Sequence, residues 1–242
     1  MPDKSWFTTV WAREAERPSG RDQPALSRDQ IVRAAVELLD AEGLDSLSMR
    51  KLAARLGSGA TSIYWHVASK DELLELVLDE VYGEVAVPDP AAVGWRDAVA
   101  VLAYGLRGAL VKHPWAITLV SSRPALGPKS LAANHALLKA LELAGFPHTT
   151  GDYAAAAVLA YVLGATTPEV AWLNTIGRSE VATEEWLKAM RPQIEIAAAD
   201  YPDLVCRLTD LQDGDVMAMR HLSFDFGLVA LLDGLEARLR QA

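Results

Sequence analysis

The sequence predicts an all-α protein, on three observations. Apolar residues recur at helical spacing in one segment after another. Serine-led capping signals stand immediately before two of those segments. No stretch alternates apolar and polar residues between turn signals, as a half-buried strand would. Of the 242 residues 51% are hydrophobic and 23% charged, enough apolar mass for a sizeable core and too much for a disordered chain.

Residues 1–26 carry Trp6, Phe7, Trp11, Pro18, Gly20 and Pro24 without helical period and read as an extended arm, with Arg13, Arg17 and Arg21 spaced along it. Two readings fit: a tail without fixed structure, or an arm that lays arginines into a minor groove. Ser27-Arg28-Asp29-Gln30 is a capping box, and the helix behind it buries Ile31, Ala34, Ala35, Leu38 and Leu39 on one stripe. Gly43 is expected to close it as a left-handed cap. A second helix opens at Ser48 and buries Leu52 and Leu56. Gly57-Ser58-Gly59 turns the chain, and a short third helix runs to about Val67. Ser69-Lys70-Asp71-Glu72 is a second capping box, opening a fourth helix with Leu73, Leu74, Val77 and Val81 on its apolar face. Val87-Pro88-Asp89-Pro90 ends that helix, because proline lacks the donor and restrains the residue before it. Further helices are expected near 95–112, 114–121, 127–144, 150–175, 183–198 and 215–240. Breaks fall at His113-Pro114, across 123–128, at Gly145-Phe146-Pro147, around Gly177 and at Tyr201-Pro202.

The net charge of −9 argues against nucleic acid until its distribution is read. Residues 1–70 hold 10 Lys/Arg and 9 Asp/Glu, whereas residues 71–242 hold 13 and 23. From Ser48 to Lys70 there are Arg50, Lys51, Arg55 and Lys70 and no acid. Such a stretch can neutralise phosphates while the acidic remainder keeps DNA off the other faces. The single cysteine, Cys206, leaves no internal disulfide and fits a reducing compartment. No N-terminal stretch has the layout of a signal peptide. The longest uncharged run, Tyr153 to Pro168, falls short of the ~20 apolar residues of a spanning helix. A cytoplasmic protein without a membrane partner is expected. The five histidines, 66, 113, 135, 148 and 221, include no i,i+3 or i,i+4 pair, so neither a metal site nor a cofactor is expected. There is no Gly-x-Ser-x-Gly elbow, phosphate-cradling loop or usefully spaced Cys/His pair, and Gly177-Arg178-Ser179 lacks the second glycine. The residues do not read as an enzyme.

Ser48 to His66 has the layout of a helix-turn-helix: one helix, a glycine-containing turn and a second short helix. With Ile63 facing inward and ~100° per residue, Val67 lies beside it while Thr61 and Trp65 point away; Ser62 and Tyr64 flank the outer face. Set in a major groove, such a face bonds base edges through Thr and Ser and touches thymine methyls through its rings. Tyr64 and Lys70 suit phosphates, and Arg50 suits a guanine or the backbone. The alternative is an aromatic seam, Tyr64-Trp65-His66, packed on neighbouring helices.

These residues carry a family resemblance. Ile31-Val32-Arg33-Ala34-Ala35, Leu38-Leu39, Glu42-Gly43, Leu47 to Ala53, Leu56-Gly57, Ser62 to Val67 and Lys70 to Leu74 together resemble the tetracycline-repressor (TetR) family of bacterial regulators over residues 27–82. A looser resemblance continues through His113-Pro114-Trp115, Arg123-Pro124 and Ala144-Gly145-Phe146. It implies a helix-turn-helix DNA-binding domain over 27–70 and a helical ligand-binding and dimerisation domain over 71–242. The implied protein is an Ω-shaped homodimer, a repressor released from double-stranded operator DNA by a small-molecule effector. Carried over by position, the family's base-reading residues fall on Arg50, Ala60, Thr61 and Ser62. Its phosphate contacts fall on Ser48, Tyr64, Trp65, His66 and Lys70. Ala60 and Thr61 depart from the longer polar residue and proline of the tetracycline repressor, which implies a different operator.

The same resemblance places that repressor's polar and aromatic drug contacts on Ala86, Leu102, Leu106 and Leu119, so magnesium–tetracycline is not the expected effector. What remains is an aliphatic cavity that includes Leu138, with Tyr104, Trp115, Asn134, Tyr161 and Trp172 as its polar or aromatic members, suited to a lipophilic molecule. Two helices are expected at a dimer interface. One has a small-residue face at Ala154 to Ala157, Ala160, Gly164 and Ala165; the other has a stripe of Val216, Leu222, Phe226, Val229, Leu232 and Leu235.

Overall fold

The computed structural model describes residues 9–11, 26–178, 181–212 and 216–240, and every regular element among them is helical. The arm arginines Arg13, Arg17 and Arg21 lie outside the described residues. By their internal contacts the residues fall into two compact units, 1–155 and 156–242. The helix-turn-helix segment and the first helices after it share the first unit.

In that unit α1 (Arg28–Glu42) opens with the full capping box: Ser27 Oγ accepts from Gln30 N–H at 3.2 Å and Gln30 Oε1 accepts from Ser27 N–H at 2.8 Å. Its end departs from the expected left-handed cap. Gly43 has φ 77° but ψ 176°, and while its N–H bonds Leu39 C=O at 2.8 Å, the extended ψ sends the chain into a 3-10 turn at Leu44–Ser46. Helices α2 (Met49–Arg55), α3 (Ala60–Tyr64) and α4 (Lys70–Tyr82) come next. At the head of α4, Ser69 Oγ accepts from Glu72 N–H at 3.1 Å, but the Glu72 carboxylate takes Ala68 N–H at 2.8 Å rather than that of Ser69. Then come α5 (Pro90–Val93), α6 (Trp95–Lys112), α7 (Ala116–Ser122) and α8 (Pro128–Ala144), and α9 (His148–Arg178) contributes residues to both units. Helix α5 is not expected from the sequence. The prolines that stop α4 also start a turn of helix, with Pro90 in its first turn and Asp89 capping Ala91 N–H at 3.0 Å.

The stripe of α1, Ile31, Ala35, Leu38 and Leu39, is buried with Leu73, Val77 and Val81 of α4, and Ile63 and Val67 close the same core. Each such leucine, isoleucine or valine contributes about 1.5–3 kcal/mol by burial. Val10 is also buried, and its N–H donates to Glu75 at 3.0 Å, so residues 9–11 dock on α4 instead of extending away.

Helix α4 is held by its own acids along its length. Asp71 pairs with Arg123 at 2.6 Å, Glu80 with Lys129, and Glu84 just past the helix with Lys112 at 2.7 Å. Buried Asp79 accepts from Ser130 N–H at 2.9 Å and Lys129 N–H at 3.3 Å, an anion set on the positive end of α8. Gly127 precedes that helix because a Cβ there would run into the Asp79 carboxylate. Its φ of −73° suits any residue, so the constraint is space alone. Gly127→Ala is expected to lower stability by about 1–3 kcal/mol through displacement of that cap, read as a lower urea midpoint at unchanged slope.

In the second unit the remainder of α9 is followed by α10 (Thr183–Ala197), α11 (Pro202–Gln212) and α12 (Val216–Leu239). Helix α11 is a correction, since the sequence reads Tyr201-Pro202 only as a break; proline at a first helical position starts a helix as readily as it stops one. The expected stripe on α12 divides in two. Leu232 and Leu235 are buried with Phe224 and Leu228, whereas Leu222, Phe226 and Val229 are exposed. Tyr161 of α9 donates its hydroxyl to Phe224 C=O at 2.6 Å and packs its ring on Phe224. His148–Gly177 has the length and composition of a bilayer-crossing helix, a pattern that core helices share; the helix continues through Pro168 and buries Glu169.

Candidate nucleic-acid interface

Ser48 caps α2 by accepting from Lys51 N–H at 3.2 Å, which fixes the first turn that carries Arg50. Gly57, at φ 63°, then reverses the chain in a conformation that disfavours a Cβ, and α3 begins at Ala60. Ile63 is buried while Thr61, Ser62, Tyr64 and Trp65 are exposed, Trp65 by 77%. The aromatic-seam alternative requires those rings to be covered, and they are not. Ala60 and His66 are half-buried; Ser48, Arg50 and Lys70 are exposed.

The basic residues of the segment divide by use. Lys51 pairs with Glu42 and Arg55 with Glu37 at 3.0 Å, so both are engaged with α1. Arg50 and Lys70 have no acidic partner among the described residues. Exposed hydroxyls, two exposed rings and two uncompensated cations make up the outer surface of α2 and α3. That surface can hydrogen-bond base edges and neutralise phosphates.

A polar cluster that the sequence reading missed joins this head to the helices behind it. His113, whose side chain is 3% exposed, sets Nδ1 2.7 Å from Asp40 Oδ1 on α1 and Nε2 3.1 Å from Glu84 Oε1. Trp115 donates its indole N–H to the same Asp40 oxygen at 2.7 Å. No local pattern marks the cluster, because Asp40 lies 73 and 75 residues from His113 and Trp115, and Glu84 lies 29 from His113. Desolvation raises the Glu84 carboxyl, yet the hydrogen bonds and charges of Lys112 and His113 outweigh it and hold Glu84 below the ordinary carboxylate range. A lowered carboxyl gives stability that is complete above its unfolded value, about 4.3, and is lost as pH falls through the folded value. The urea midpoint is therefore expected to drop below about pH 4.3, and Glu84→Gln to drop less steeply there.

The residues expected to meet an effector are dispersed. Leu102 and Leu106 of α6 and Leu119 of α7 are buried in the first unit, Leu138 is half-buried, and Tyr104 and Asn134 are exposed. Trp115 is engaged with Asp40 and Tyr161 with Phe224, while Trp172 lies under the Arg220 guanidinium in the second unit. Ala86 is exposed. A cavity of about 430 Å³ beside Trp11, Arg28, Val32, Leu76 and Pro128 includes none of them.

Fold and surface together define a helix-turn-helix regulator. Residues 31–77 match the model of the bacterial regulatory proteins of the tetR family, and residues 87–239 match that of the tetracyclin repressor-like C-terminal domain. The chain therefore belongs to the TetR family of transcriptional regulators, whose members are not enzymes. It is 41% identical over 228 residues to an HTH-type transcriptional regulator of Saccharopolyspora erythraea, covering 94% of this chain and 91% of that one. It is 35% identical to the HTH-type transcriptional repressor DrrR1 of Streptomyces coeruleorubidus, covering 93% and 83%. Among solved structures, ActR of Streptomyces coelicolor in complex with actinorhodin is similar at TM-score 0.70 and 29% identity over 89% of this chain and 99% of that one. BioQ with its double-stranded DNA operator is similar at TM-score 0.58 and 26% identity, over 88% and 99%.

Proposed function

We propose that this chain is a cytoplasmic, homodimeric repressor whose residues 27–70 bind operator DNA and whose residues 71–242 bind a small lipophilic effector that releases it. The observation that carries the DNA half is the exposed surface of Arg50, Thr61, Ser62, Tyr64, Trp65 and Lys70, basic and without acids. Base edges fall to Arg50, Ala60, Thr61 and Ser62, and phosphates to Ser48, Tyr64, Trp65, His66 and Lys70. BioQ was solved with operator DNA and ActR with actinorhodin, which supports both halves by kinship.

Magnesium–tetracycline is a poor candidate. Ala86, Leu102, Leu106 and Leu119 offer no metal ligand and no polar contact where the tetracycline repressor has them. Dimerisation is supported by two uncovered faces in the second unit. Ala156, Ala160 and Gly164 form an exposed small-residue row on α9, and Leu222, Phe226 and Val229 form an exposed apolar row on α12.

The reading is tested by selecting an operator from random duplexes with the full-length protein and following the complex by gel shift. A salt-sensitive shift, released by a lipophilic compound and not by magnesium–tetracycline, is expected; failure to select any sequence sinks the proposal. The arm is tested by changing Arg13, Arg17 and Arg21 to Gln together, since truncation would also remove the docked Val10. Groove contact would make the salt dependence of binding shallower by up to about three in slope, and an unchanged slope identifies a tail.

A further inference from the structure

Three side chains from three helices meet in the second unit. The Arg220 guanidinium of α12 lies over the Trp172 ring of α9, 4.6 Å from its centroid. Trp186 of α10 stands perpendicular to Trp172, with centroids 6.4 Å apart and an interplanar angle of 87°. Helical spacing places Arg220 one turn before Phe224, at the edge of the buried side of α12 that runs on through Leu228 and Leu232. A cation therefore flanks an apolar stripe.

The indole face compensates part of the cost of that placement. The rest is open: Arg220 Nε is buried and meets no hydrogen-bond acceptor among the described residues. A guanidinium has five N–H donors and no acceptor, so an oxygen anion suits both its donors and its charge. A carboxylate suits it best, because its two oxygens match the planar fork. The indoles, at right angles, give that anion aromatic surroundings rather than polar ones. Trp172, Trp186 and Arg220 are each half-buried, and no residue of α10 is fully buried, so part of each side chain faces solvent while Nε itself is covered.

We propose that Trp172, Trp186 and Arg220 form a receiving site for a planar aromatic acid, with its ring against the indoles and its carboxylate on the Arg220 guanidinium. As a statement about the effector this rests on the regulator reading above; as a binding site it does not. The test uses the full-length protein and two probes of one shape, anthraquinone-2-carboxylate and anthraquinone-2-carboxamide, titrated by tryptophan fluorescence without DNA. Wild type is expected to bind the carboxylate about tenfold more tightly than the amide. Arg220→Gln removes that preference and leaves amide binding within about twofold, and Arg220→Lys restores part of it. Trp172→Leu weakens both probes by about tenfold, with melting temperatures followed in parallel to exclude loss of the fold. Equal affinity for the two probes in wild type, or a preference that survives Arg220→Gln, overturns the site. A carboxylate that binds through Arg220 yet leaves the operator complex intact supports the site and overturns only its assignment to the effector.

Discussion

Changing Arg50 and Tyr64 to Ala together is expected to weaken operator binding by about a hundredfold or more at constant salt. A bidentate arginine on a guanine is worth about 1–3 kcal/mol, and loss of a phosphate contact adds to that. Both side chains are exposed, and Arg50 has no acidic partner among the described residues, so neither supports the head. The head is held by Ile31, Leu38, Leu39, Leu52, Ile63 and Val67, none of which is touched. The melting temperature should therefore stay within a few degrees of wild type, as for surface substitutions generally. A loss of only a few-fold would mean that DNA is read by another surface. A large fall in melting temperature would mean instead that the aromatic run supports the head.

The second large effect concerns α12. Phe226 is 80% exposed and Leu222 is 65% exposed, side by side on a helix whose opposite face is buried. Phe226→Asp places a charge in that row without reaching Phe224, Leu228 or Leu232. If the row meets its copy across a two-fold axis, the substitution puts two desolvated carboxylates in one interface, a loss of several kcal/mol. Sedimentation should then find a folded monomer, and operator binding should fall with it, because two half-sites one helical turn apart need two linked heads. A variant that stays dimeric removes this face from the interface.

The parts of the structure legible in the sequence are those fixed locally. Ser27, Gln30 and Ser69 mark helix starts through bonds spanning three residues, and α6 runs where its period places it. The turn at Gly57 separates two short helices as its spacing implies. Proline is the main source of error, because Pro90 and Pro202 each break the chain on their N-terminal side and open a helix on the other, and a single sequence gives both meanings at once. The Asp40–His113–Trp115 cluster is illegible for a different reason. Its partners are 73 and 75 residues apart, and no periodicity encodes such a distance. The exposure of α3 is legible from helical geometry, since one buried position, Ile63, orients the rest.

The Asp40 carboxylate also bears on how freely this head can be exchanged. Asp40 lies within residues 27–70, yet its partners His113 and Trp115 lie outside them, and Asp71 at the seam is bound to Arg123. A designer who grafts a foreign operator-reading head at residue 70 would carry away one member of the joint and leave a buried imidazole and indole facing an unsuitable side chain. Heads that keep an acid at the Asp40 position should transplant with their specificity intact. For others, the portable piece is the head together with the residues at 113 and 115.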